Sequence, residues 1–389
     1  MENTTKIFEQ KRQEIFRTWA ELDLNALQQN VSEIKKILPD SCQIMAVVKA
    51  NAYGHGDVLI SSHLNQMGIY SFAVATLEEA IHLRKFGIEG SILILGYTPS
   101  LYAPELMQYD LTQTVADFSH AQELAETKIP IKVEIKIDTG MHRLGITPEH
   151  KKEIVSLFSV PTFCICGMYT HLCVADSQEP EDIAFSQKQL ESFKCLTDML
   201  KAAGISLPPL HVQSSYGVLN YPSLKYDFAR IGILLYGCHS QFEESCLMNP
   251  DVRPVLSLYS HVALIREVDE GDTVGYGRTY KARRKRRLAV IPIGYADGYP
   301  RSLSNRGYVL IHGQRARIVG RICMDQMIAD VTAIENVCVS DRVTLIGKDG
   351  RHRIYAEELA ALSQTITNEL LSRLGSRITR VLLIDKKFE

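Results

Sequence analysis

Reactive and anion-binding side chains stand at the ends of several apolar segments of the sequence. Lys49 ends the segment QIMAVVK, His171 ends FCICGMYTH, Ser215 ends LHVQSS, and Arg230 stands at the junction into IGILLYG. A single lysine or histidine at such a position is usually solvated or structural. If the segments are strands of one parallel barrel, however, their carboxyl ends share the rim where barrel enzymes build their active sites. The pattern therefore predicts one site that combines these groups.

Lys49 is the candidate for covalent chemistry, because the apolar residues 45–48 precede it and would enclose its stem. Desolvation lowers the pKa of a lysine, which favours the neutral amine that forms a Schiff base with a carbonyl compound. Hydroxyl and backbone donors at Ser215, Gly232 and residues 54–56 could hold a phosphate. The sequence thus predicts a cofactor with a carbonyl and a phosphate, and pyridoxal phosphate has both groups.

Ionisable residues alternate with apolar ones along the segment IKVEIKID, at positions 131–138. The side chains that share its polar face are those of Lys132, Glu134, Lys136 and Asp138. One interpretation is an edge strand with a solvated face, and the other is a polar site inside a barrel, where buried charges are costly unless paired. The following DTGMHRLG favours the site, because Arg143 can meet an anion there and its glycines allow close backbone approach.

The elements that would position these residues alternate over the first 250 positions. Short apolar strands are separated by amphipathic helices, which is typical of a parallel α/β fold. Nine strand candidates are present, one more than a (β/α)8 barrel requires. We therefore expect a (β/α)8 barrel and interpret the first strand, WAELDL, as the extra one that pairs elsewhere.

The helical alternation stops after about residue 250, where strands and tight turns follow one another. We predict a barrel domain over residues 1–250, with an N-terminal extension over residues 1–17, and a β-rich domain over residues 251–389. One last helix is expected at IYAEELAALSQT, ahead of a basic end. The basic run KARRKRR, residues 281–287, could bind nucleic acid, but its place between two strands favours an exposed loop.

Composition excludes several classes of protein. A net charge of -2 argues against a general nucleic-acid or anionic-membrane binder. The sequence contains no apolar run near the ~20 residues of a membrane span, and the polar start lacks the apolar core of a secretory signal, so a cytoplasmic protein is expected. The nine cysteines show neither a disulfide framework nor a zinc motif, which indicates buried reduced thiols, with Cys164 and Cys166 on one face of a strand.

Seven motifs, taken in order, resemble those of the alanine racemase family. They are AVVKANAYGHG, KIDTGMHRLG, MYTHL followed by AD, ARIGI, VGYGRTY, IPIGYADGYPR and GRICMDQM. The match runs from about residue 18 to the C-terminal segment. The resemblance implies a homodimer with shared active sites that uses pyridoxal phosphate to interconvert L- and D-alanine, and D-amino acid made in this way would supply cell-wall peptidoglycan precursors.

The resemblance also implies roles for individual residues. Lys49 would hold the cofactor and act as one base, and Tyr276 of the other subunit would act as the second base on the opposite face of Cα. The cofactor phosphate would be held by Tyr53, Ser215 and the amides near Gly232 and Ile233.

Other implied roles concern the cofactor ring and the substrate. Arg230, supported by His171, would face the pyridine nitrogen, and since arginine stays protonated it cannot give the ring a full proton. Arg143 would meet the cofactor phenolate and the substrate carboxylate, and Lys136 resembles a lysine that family members often carbamylate. Two further residues, Tyr295 and Met324, are expected to line the substrate entry and to contact the substrate carboxylate.

Three departures from the family pattern matter. Ser214 replaces a usual asparagine beside the phosphate, and Leu172-Cys173 replaces an aromatic-small pair after the histidine. Asn368 in TITNELLSRL stands where alanine racemases carry a tyrosine, and there the chain resembles the vancomycin-resistance serine racemases. This predicts serine as an additional substrate, although asparagine at a helix end could also merely pack. Those racemases carry a membrane-embedded domain ahead of the racemase domain, and no such segment is expected here.

Other functions fit the sequence less well than racemisation. A pyridoxal-phosphate decarboxylase on the same barrel would need different substrate residues from those in VGYGR and GYADGYPR. A non-catalytic cofactor-binding barrel would need neither the β-rich domain nor Tyr276. A purely structural role leaves the charged strand face without a ligand. The sequence therefore favours a racemase.

Overall fold

The computed structural model describes residues 17–242 and 245–383, and within them eight parallel strands close a barrel. The barrel closes where β2 pairs with β9, with Gln43 opposite Phe228. This confirms the expected (β/α)8 architecture. The barrel strands are β2 (Gln43–Val47), β3 (Ser71–Val74), β4 (Ser91–Ile94), β5 (Thr112–Val115), β6 (Ile131–Lys136), β7 (Phe163–Tyr169), β8 (Leu210–Ser214) and β9 (Phe228–Ile231).

Helices lie between the barrel strands, and polar caps define where several of them begin. Asp23, Thr76 and Asp117 each accept a backbone amide of the first turn that follows, which satisfies a donor that the helix itself leaves free. The helices are α1 (Leu24–Ile37), α2 (Asp57–Gln66), α3 (Leu77–Lys85), α4 (Ala103–Gln108), α5 (Phe118–Glu126), α6 (Lys151–Leu157), α7 (Pro180–Ala202) and α8 (Ser215–Asn220).

A second, largely antiparallel sheet follows the barrel and includes the first strand of the chain. β1 (Thr18–Leu22) pairs antiparallel with β10 and parallel with β20, with Trp19 opposite both Tyr259 and Thr379. The interpretation of WAELDL as an extra strand is therefore confirmed. The other strands of this sheet are β10 (Leu256–His261), β11 (Leu264–Val268), β14 (Arg286–Ile291), β15 (Tyr308–Ile311), β16 (Gln314–Ile318), β17 (Met327–Asp330), β18 (Arg342–Asp349), β19 (His352–Ile354) and β20 (Thr379–Leu382).

Smaller elements complete the second part of the chain. β12 (Thr273–Val274) and β13 (Tyr280–Lys281) form a separate hairpin, and the basic run continues from it over an exposed loop into β14. Two helices lie between β19 and β20, α9 (Ala356–Leu362) and α10 (Thr367–Ser372), whereas one was expected. The six-residue α10 was missed because so short a helix leaves little periodicity in a sequence.

The boundary expected at residue 250 stays a prediction. The structure adds that β1, which precedes the barrel in the chain, belongs to the sheet of the second part. Residues 1–16 of the expected N-terminal extension and residues 384–389 at the basic end lie outside the described residues. Within the described ranges no helix is both long and apolar enough to cross a membrane.

The interior of the barrel is polar, and the main apolar core lies between the barrel and its helices. Inside the barrel the apolar cluster is small and contains Met45, Val47, Ala73, Leu93 and Tyr169. The charged face of β6 points into this interior, since Glu134 is 6% exposed and Lys136 is 5% exposed. The edge-strand interpretation of this segment is therefore wrong.

The cysteines differ from the expectation of buried thiols. Cys42 and Cys238 are buried, but Cys164, Cys195 and Cys338 are exposed. The sulfurs of Cys164 and Cys166 lie 3.8 Å apart on one face of β7, as their spacing predicts.

Candidate active site

A cavity of about 450 Å³ opens at the carboxyl ends of the barrel strands. Ligand sites of drug-sized molecules occupy about 300–1,000 Å³, so the cavity is large enough for a cofactor with an amino acid. Tyr276, Tyr295 and Met324 do not line it. The predicted site residues that do are Lys49, Tyr53, Lys136, Arg143, His171, Ser215, Arg230, Gly232, Ile233 and Asn368.

Lys49 leaves the barrel wall directly after β2. Burial holds the pKa of its amine below the usual 10.5, and the nearby positive charges of Arg143 and Arg230 act in the same direction. The carboxylate of Glu79 opposes this shift. A lowered pKa favours the neutral amine, which is the form that adds to a carbonyl carbon.

The backbone after Lys49 makes one left-handed turn. Ala50, Asn51, Ala52 and Tyr53 have φ values of 53°, 54°, 51° and 52°, and Gly54 continues the turn at 79°. Left-handed helical backbone costs roughly 1–2 kcal/mol for each residue that carries a Cβ. This strained turn lets two side chains four positions apart, those of Lys49 and Tyr53, line the same cavity.

Backbone amides and hydroxyls form an anion cradle beside this turn. The Gly232 amide donates to Ser215 Oγ at 3.1 Å, and the Leu234 amide does so at 3.4 Å. A Cβ on Gly232 would lie 2.6 Å from the Tyr53 hydroxyl oxygen, so only glycine allows this approach. Burial raises the pKa of Tyr53 to about 12, which keeps its phenol protonated and able to donate. The sequence predicted amides near Gly232 and Ile233. The second amide that points at Ser215 Oγ is that of Leu234, whereas Ile233 lines the cavity.

Arg230 is 4% exposed and its guanidinium is held by two imidazoles. Nη1 donates to His211 Nδ1 at 2.6 Å, and Nη2 donates to His171 Nδ1 at 3.0 Å. His211 Nε2 lies 2.6 Å from a carboxylate oxygen of Glu134. Since a carboxylate only accepts, Nε2 carries the proton and Nδ1 is left to accept from the arginine.

This chain keeps Arg230 charged and fixed. Burial lowers the pKa of Arg230, to about 10, so the guanidinium remains protonated near neutrality. Burial and the positive charge of Arg230 hold the pKa of His171 well below 6.5, so that imidazole is neutral. Tyr169 adds a further contact, because the guanidinium carbon lies 5.0 Å from its ring centre.

Glu134, His211 and Tyr169 were not assigned roles from the sequence. His211 stacks on Tyr169 with ring centres 4.7 Å apart, so the three side chains fill the barrel interior behind Arg230. The alternation of IKVEIKID did mark Glu134 as inward-facing. The spacing of LHVQSS places His211 and Gln213 on the same face of a strand, and it could have marked His211 as inward-facing in the same way.

Lys136 and Arg143 line the cavity from the end of β6 and from the loop that follows it. Burial and the charge of Arg230 lower the pKa of Lys136 to about 7, and its Nζ donates to the carbonyl of Ile137 at 2.7 Å. The loop that carries Arg143 is tied by Asp138, whose Oδ1 accepts three backbone amides at 2.9–3.0 Å. Both cations therefore stand on fixed backbone.

Asn368 reaches the cavity from the second part of the chain, in the first turn of α10. Its Oδ1 is buried and has no hydrogen-bond partner among the described residues. Tyr216 and Ser240 line the cavity with it, and the Thr367 amide donates to the Ser240 carbonyl at 2.8 Å, which fixes this helix start. An unpaired buried acceptor is costly unless a ligand supplies a donor.

Tyr276, Tyr295 and Met324 lie instead on adjacent exposed loops of the second part. They are 69%, 42% and 53% exposed. The Tyr295 amide donates to the Cys323 carbonyl at 3.1 Å, which joins the loops of Tyr295 and Met324. The Tyr276 turn packs against Arg321, since a Cβ on Gly277 would lie 2.9 Å from its guanidinium. These three form one surface group outside the cavity.

The residues of the cavity fit pyridoxal phosphate. The cradle around Ser215 and Gly232 offers converging donors to a phosphate, Lys49 offers an amine to the carbonyl carbon, and Arg230 offers a cation to a ring nitrogen. Among the residues that the structure describes, no cluster of three His, Cys, Asp or Glu side chains is placed to hold a metal ion.

Comparisons with known proteins agree with this fit. A family profile described as alanine racemase, N-terminal domain, matches residues 22–240, and one described as alanine racemase, C-terminal domain, matches residues 255–382. An alanine racemase from Bacillus anthracis, solved with bound L-Ala-P, superposes with a TM-score of 0.90 at 33% identity and 96% coverage of each chain.

Curated relatives differ in length. An amino-acid racemase of Enterococcus faecalis is 44% identical over 93% of this chain and 51% of its own length. A serine/alanine racemase of Enterococcus gallinarum is 39% identical over 93% and 51%, so the chain spans about half the length of these relatives. An alanine racemase of Clostridium perfringens is 38% identical over 93% of this chain and 94% of its own length.

Proposed function

This chain belongs to the alanine racemase family, and on that basis we propose that it interconverts the L and D forms of a small amino acid with pyridoxal phosphate. The observation that carries the proposal is the cavity itself. It encloses a lysine of lowered pKa between a backbone anion cradle and a buried arginine. D-amino acid made by this reaction would supply peptidoglycan precursors, and exposed thiols such as Cys164 and Cys195 support the reducing cytoplasm as its location.

When bound, the cofactor withdraws electrons from Cα of the amino acid and so makes its proton easier to remove. Lys49 would hold the cofactor covalently and exchange a proton with one face of Cα. Tyr53, Ser215 and the amides of residues 232–234 would hold the phosphate. Arg230 would donate to the ring nitrogen without transferring its proton, because two imidazole acceptors and a distant carboxylate keep it charged. A ring nitrogen that does not receive a full proton would withdraw electrons less strongly, and this disfavours reprotonation at carbons other than Cα.

Lys49→Ala should abolish the covalent link to the cofactor, because Lys49 stands on the same turn as Tyr53 of the cradle, whereas Lys136, the other cavity lysine of lowered pKa, stands on β6. The expected result is loss of the yellow absorbance and of the adduct that borohydride traps on the wild-type peptide containing Lys49. Lys194→Ala, an exposed lysine paired with Asp198, should retain both signals. A trapped adduct on a different lysine of the wild type would show that the anchor is assigned wrongly.

Racemisation needs a second base on the opposite face of Cα, and Tyr276 is the candidate. Its exposed position, beside the loops of Tyr295 and Met324 and outside the cavity, suits a group that completes the site of another subunit. We therefore propose a homodimer in which each cavity receives Tyr276 from the partner, with Tyr295 and Met324 at the substrate entry. Arg143 would meet the substrate carboxylate.

Tyr276→Phe should lower the racemisation rate by at least a hundredfold in both directions, because it removes one of two proton-transfer groups. Cofactor absorbance should stay unchanged. Tyr280→Phe, in the same hairpin, should keep the wild-type rate and controls for loss of a nearby phenol. The measurement is a chiral assay of both enantiomers.

Mixing the inactive Lys49→Ala and Tyr276→Phe proteins tests whether the site is shared. A mixed dimer would contain one cavity with both Lys49 and Tyr276, so part of the activity should return. Subunit exchange is verified by native mass spectrometry. Exchange without recovered activity would indicate that both bases come from one chain.

We further propose that Lys136 carries a carbamate. Its neutral amine would add to carbon dioxide and release one proton, which converts a cation beside Arg143 into an anion that can brace it. The pKa of about 7 supports this, because half of the amine is neutral near pH 7. An ordinary lysine amine, with a pKa of 10.5, is almost fully protonated there.

Protein in ¹³C-bicarbonate should show a carbamate carbon resonance that is strong above about pH 7.5 and lost below about pH 6, since protonation of Lys136 removes the nucleophile. Lys136→Met should lack the resonance. Lys132→Met should keep it, because that half-buried lysine is paired with Asp110 at 2.6 Å. A resonance that survives in Lys136→Met would place the carbamate elsewhere.

The substrates are proposed to be alanine and serine. The unpaired Oδ1 of Asn368 lies in the cavity wall, where the hydroxyl of serine could donate to it. Alanine leaves this acceptor unpaired, which costs about 1–3 kcal/mol if the site is dry and less if water fills the gap. Alanine should still react, because water can donate to this acceptor in place of the serine hydroxyl and so limit the loss.

Asn368→Tyr should therefore lower kcat/KM for serine more than for alanine. The ratio of the two efficiencies is expected to fall by about tenfold, which corresponds to ~1.4 kcal/mol. The assay compares both substrates on the same preparation, so losses of folded enzyme cancel. An unchanged ratio would mean that Asn368 only packs at the start of its helix.

A further inference from the structure

The left-handed turn after Lys49 is held at both ends by charged side chains that the proposed chemistry does not use. At its start the carboxylate of Glu79 accepts the Ala50 amide at 2.7 Å. At its end the guanidinium of Arg380 donates twice to the Gly54 carbonyl, at 3.0 and 2.9 Å. Backbone of this kind persists only where its surroundings hold it.

Glu79 joins the turn to the barrel through a helix cap. The hydroxyl of Thr76 accepts the Glu79 amide at 3.3 Å, and the carboxylate of Glu79 accepts the Ala75 amide at 2.7 Å. This arrangement is close to a capping box. The second carboxylate oxygen is the one that accepts the Ala50 amide, so a single carboxylate links the end of β3 to the residue after Lys49.

Arg380 lies in β20 and joins the turn to the second sheet. Its acceptors are all backbone carbonyls, and besides Gly54 they are those of Leu374, Gly375 and Ile378, at 2.6–2.7 Å. The packing here is tight, because a Cβ on Gly54 would lie 2.1 Å from the carbonyl oxygen of Leu371. The planar fork of arginine suits several carbonyls at once, and a lysine ammonium does not reproduce it.

We propose that Glu79 and Arg380 are positioning residues, which fasten the two ends of the left-handed turn and so hold Lys49 and Tyr53 where they bind the cofactor. The proposal rests on the proposed function, in which Lys49 carries the cofactor and Tyr53 holds its phosphate. A turn released at either end would relax toward right-handed backbone. That relaxation would rotate the two side chains away from a common ligand.

Arg84 provides a matched control for Arg380. It is also a half-buried guanidinium that donates to four backbone carbonyls, those of Ile88, Gly90, Tyr109 and Asp110, at 2.7–3.0 Å. These carbonyls precede β4 and β5, so Arg84 lies at the opposite end of the barrel from the cavity. Arg380→Lys and Arg84→Lys therefore remove the same type of contact at different distances from Lys49.

The experiment measures the thermal unfolding midpoint of each apoprotein and its affinity for pyridoxal phosphate by absorbance titration. Both lysine variants should unfold at a lower temperature than wild type. Only Arg380→Lys should bind the cofactor at least tenfold more weakly and give a smaller fraction of borohydride-trapped Lys49. If Arg380→Lys binds the cofactor with an affinity within twofold of that of Arg84→Lys, Arg380 is only a structural contact and its positioning role is overturned.

Glu79 provides an independent test if Arg380→Lys fails to fold. Glu79→Gln keeps one acceptor oxygen but turns an amide group toward the second backbone donor. Its neighbour Glu78 is exposed in the same helix turn, so Glu78→Gln controls for lost charge at the helix start. Cofactor affinity should fall at least fivefold in Glu79→Gln and stay unchanged in Glu78→Gln. Equal affinities in the two variants would overturn the proposal.

Failure of this proposal can be told apart from failure of the proposed function. If the wild-type protein itself binds no pyridoxal phosphate at Lys49, the proposed function is wrong and the positioning role falls with it. If the wild type binds the cofactor, and Arg380→Lys and Glu79→Gln bind it as tightly as the wild type does, only the positioning role is wrong.

Discussion

The need to keep a permanent cation inside the barrel shapes the centre of this protein. Arg230 is almost fully buried, and a buried charge is stable only when it is paired and hydrogen-bonded. Its counter-charge, Glu134, is reached through the neutral ring of His211 rather than directly. The imidazole separates the two charges and leaves the arginine as a donor. The barrel interior is therefore polar along one side, and the large apolar core lies outside the strands.

The same cavity is rich in positive charge and poor in negative charge. Lys49, Lys136, Arg143 and Arg230 all line it, and burial together with mutual repulsion lowers the pKa of both lysines. A ligand with a phosphate and a carboxylate would offset this imbalance. Ligand binding and the protonation of the two lysines must then be coupled, since each anion that enters favours the protonated amines. The site is thus built for an anionic ligand before any particular reaction is considered.

The sequence was sufficient for groups that stand at the ends of predicted strands. Lys49, His171, Ser215 and Arg230 meet at one rim because the alternation of strands and helices already places them there. The sequence was insufficient where a contact joins distant segments. Arg380 bonds to Gly54 across 326 positions, and neither residue belongs to a periodic pattern that marks the other. The left-handed turn was equally invisible, because Ala50 and Ala52 have no intrinsic preference for that conformation and a single asparagine, Asn51, does not indicate a whole turn of it.

The segment from α10 to β20 contains two side chains that use hydrogen bonding in opposite ways. The guanidinium of Arg380 is saturated by backbone carbonyls, so it fixes geometry and offers nothing to a ligand. The Oδ1 of Asn368 is buried with no partner among the described residues, so it can respond to what enters the cavity. Because the two side chains differ, a change at position 368 would leave the bonds of Arg380 to Gly54 in place. Under the proposed function, the residue that would select the amino acid is therefore separate from the arginine that would hold the cofactor site.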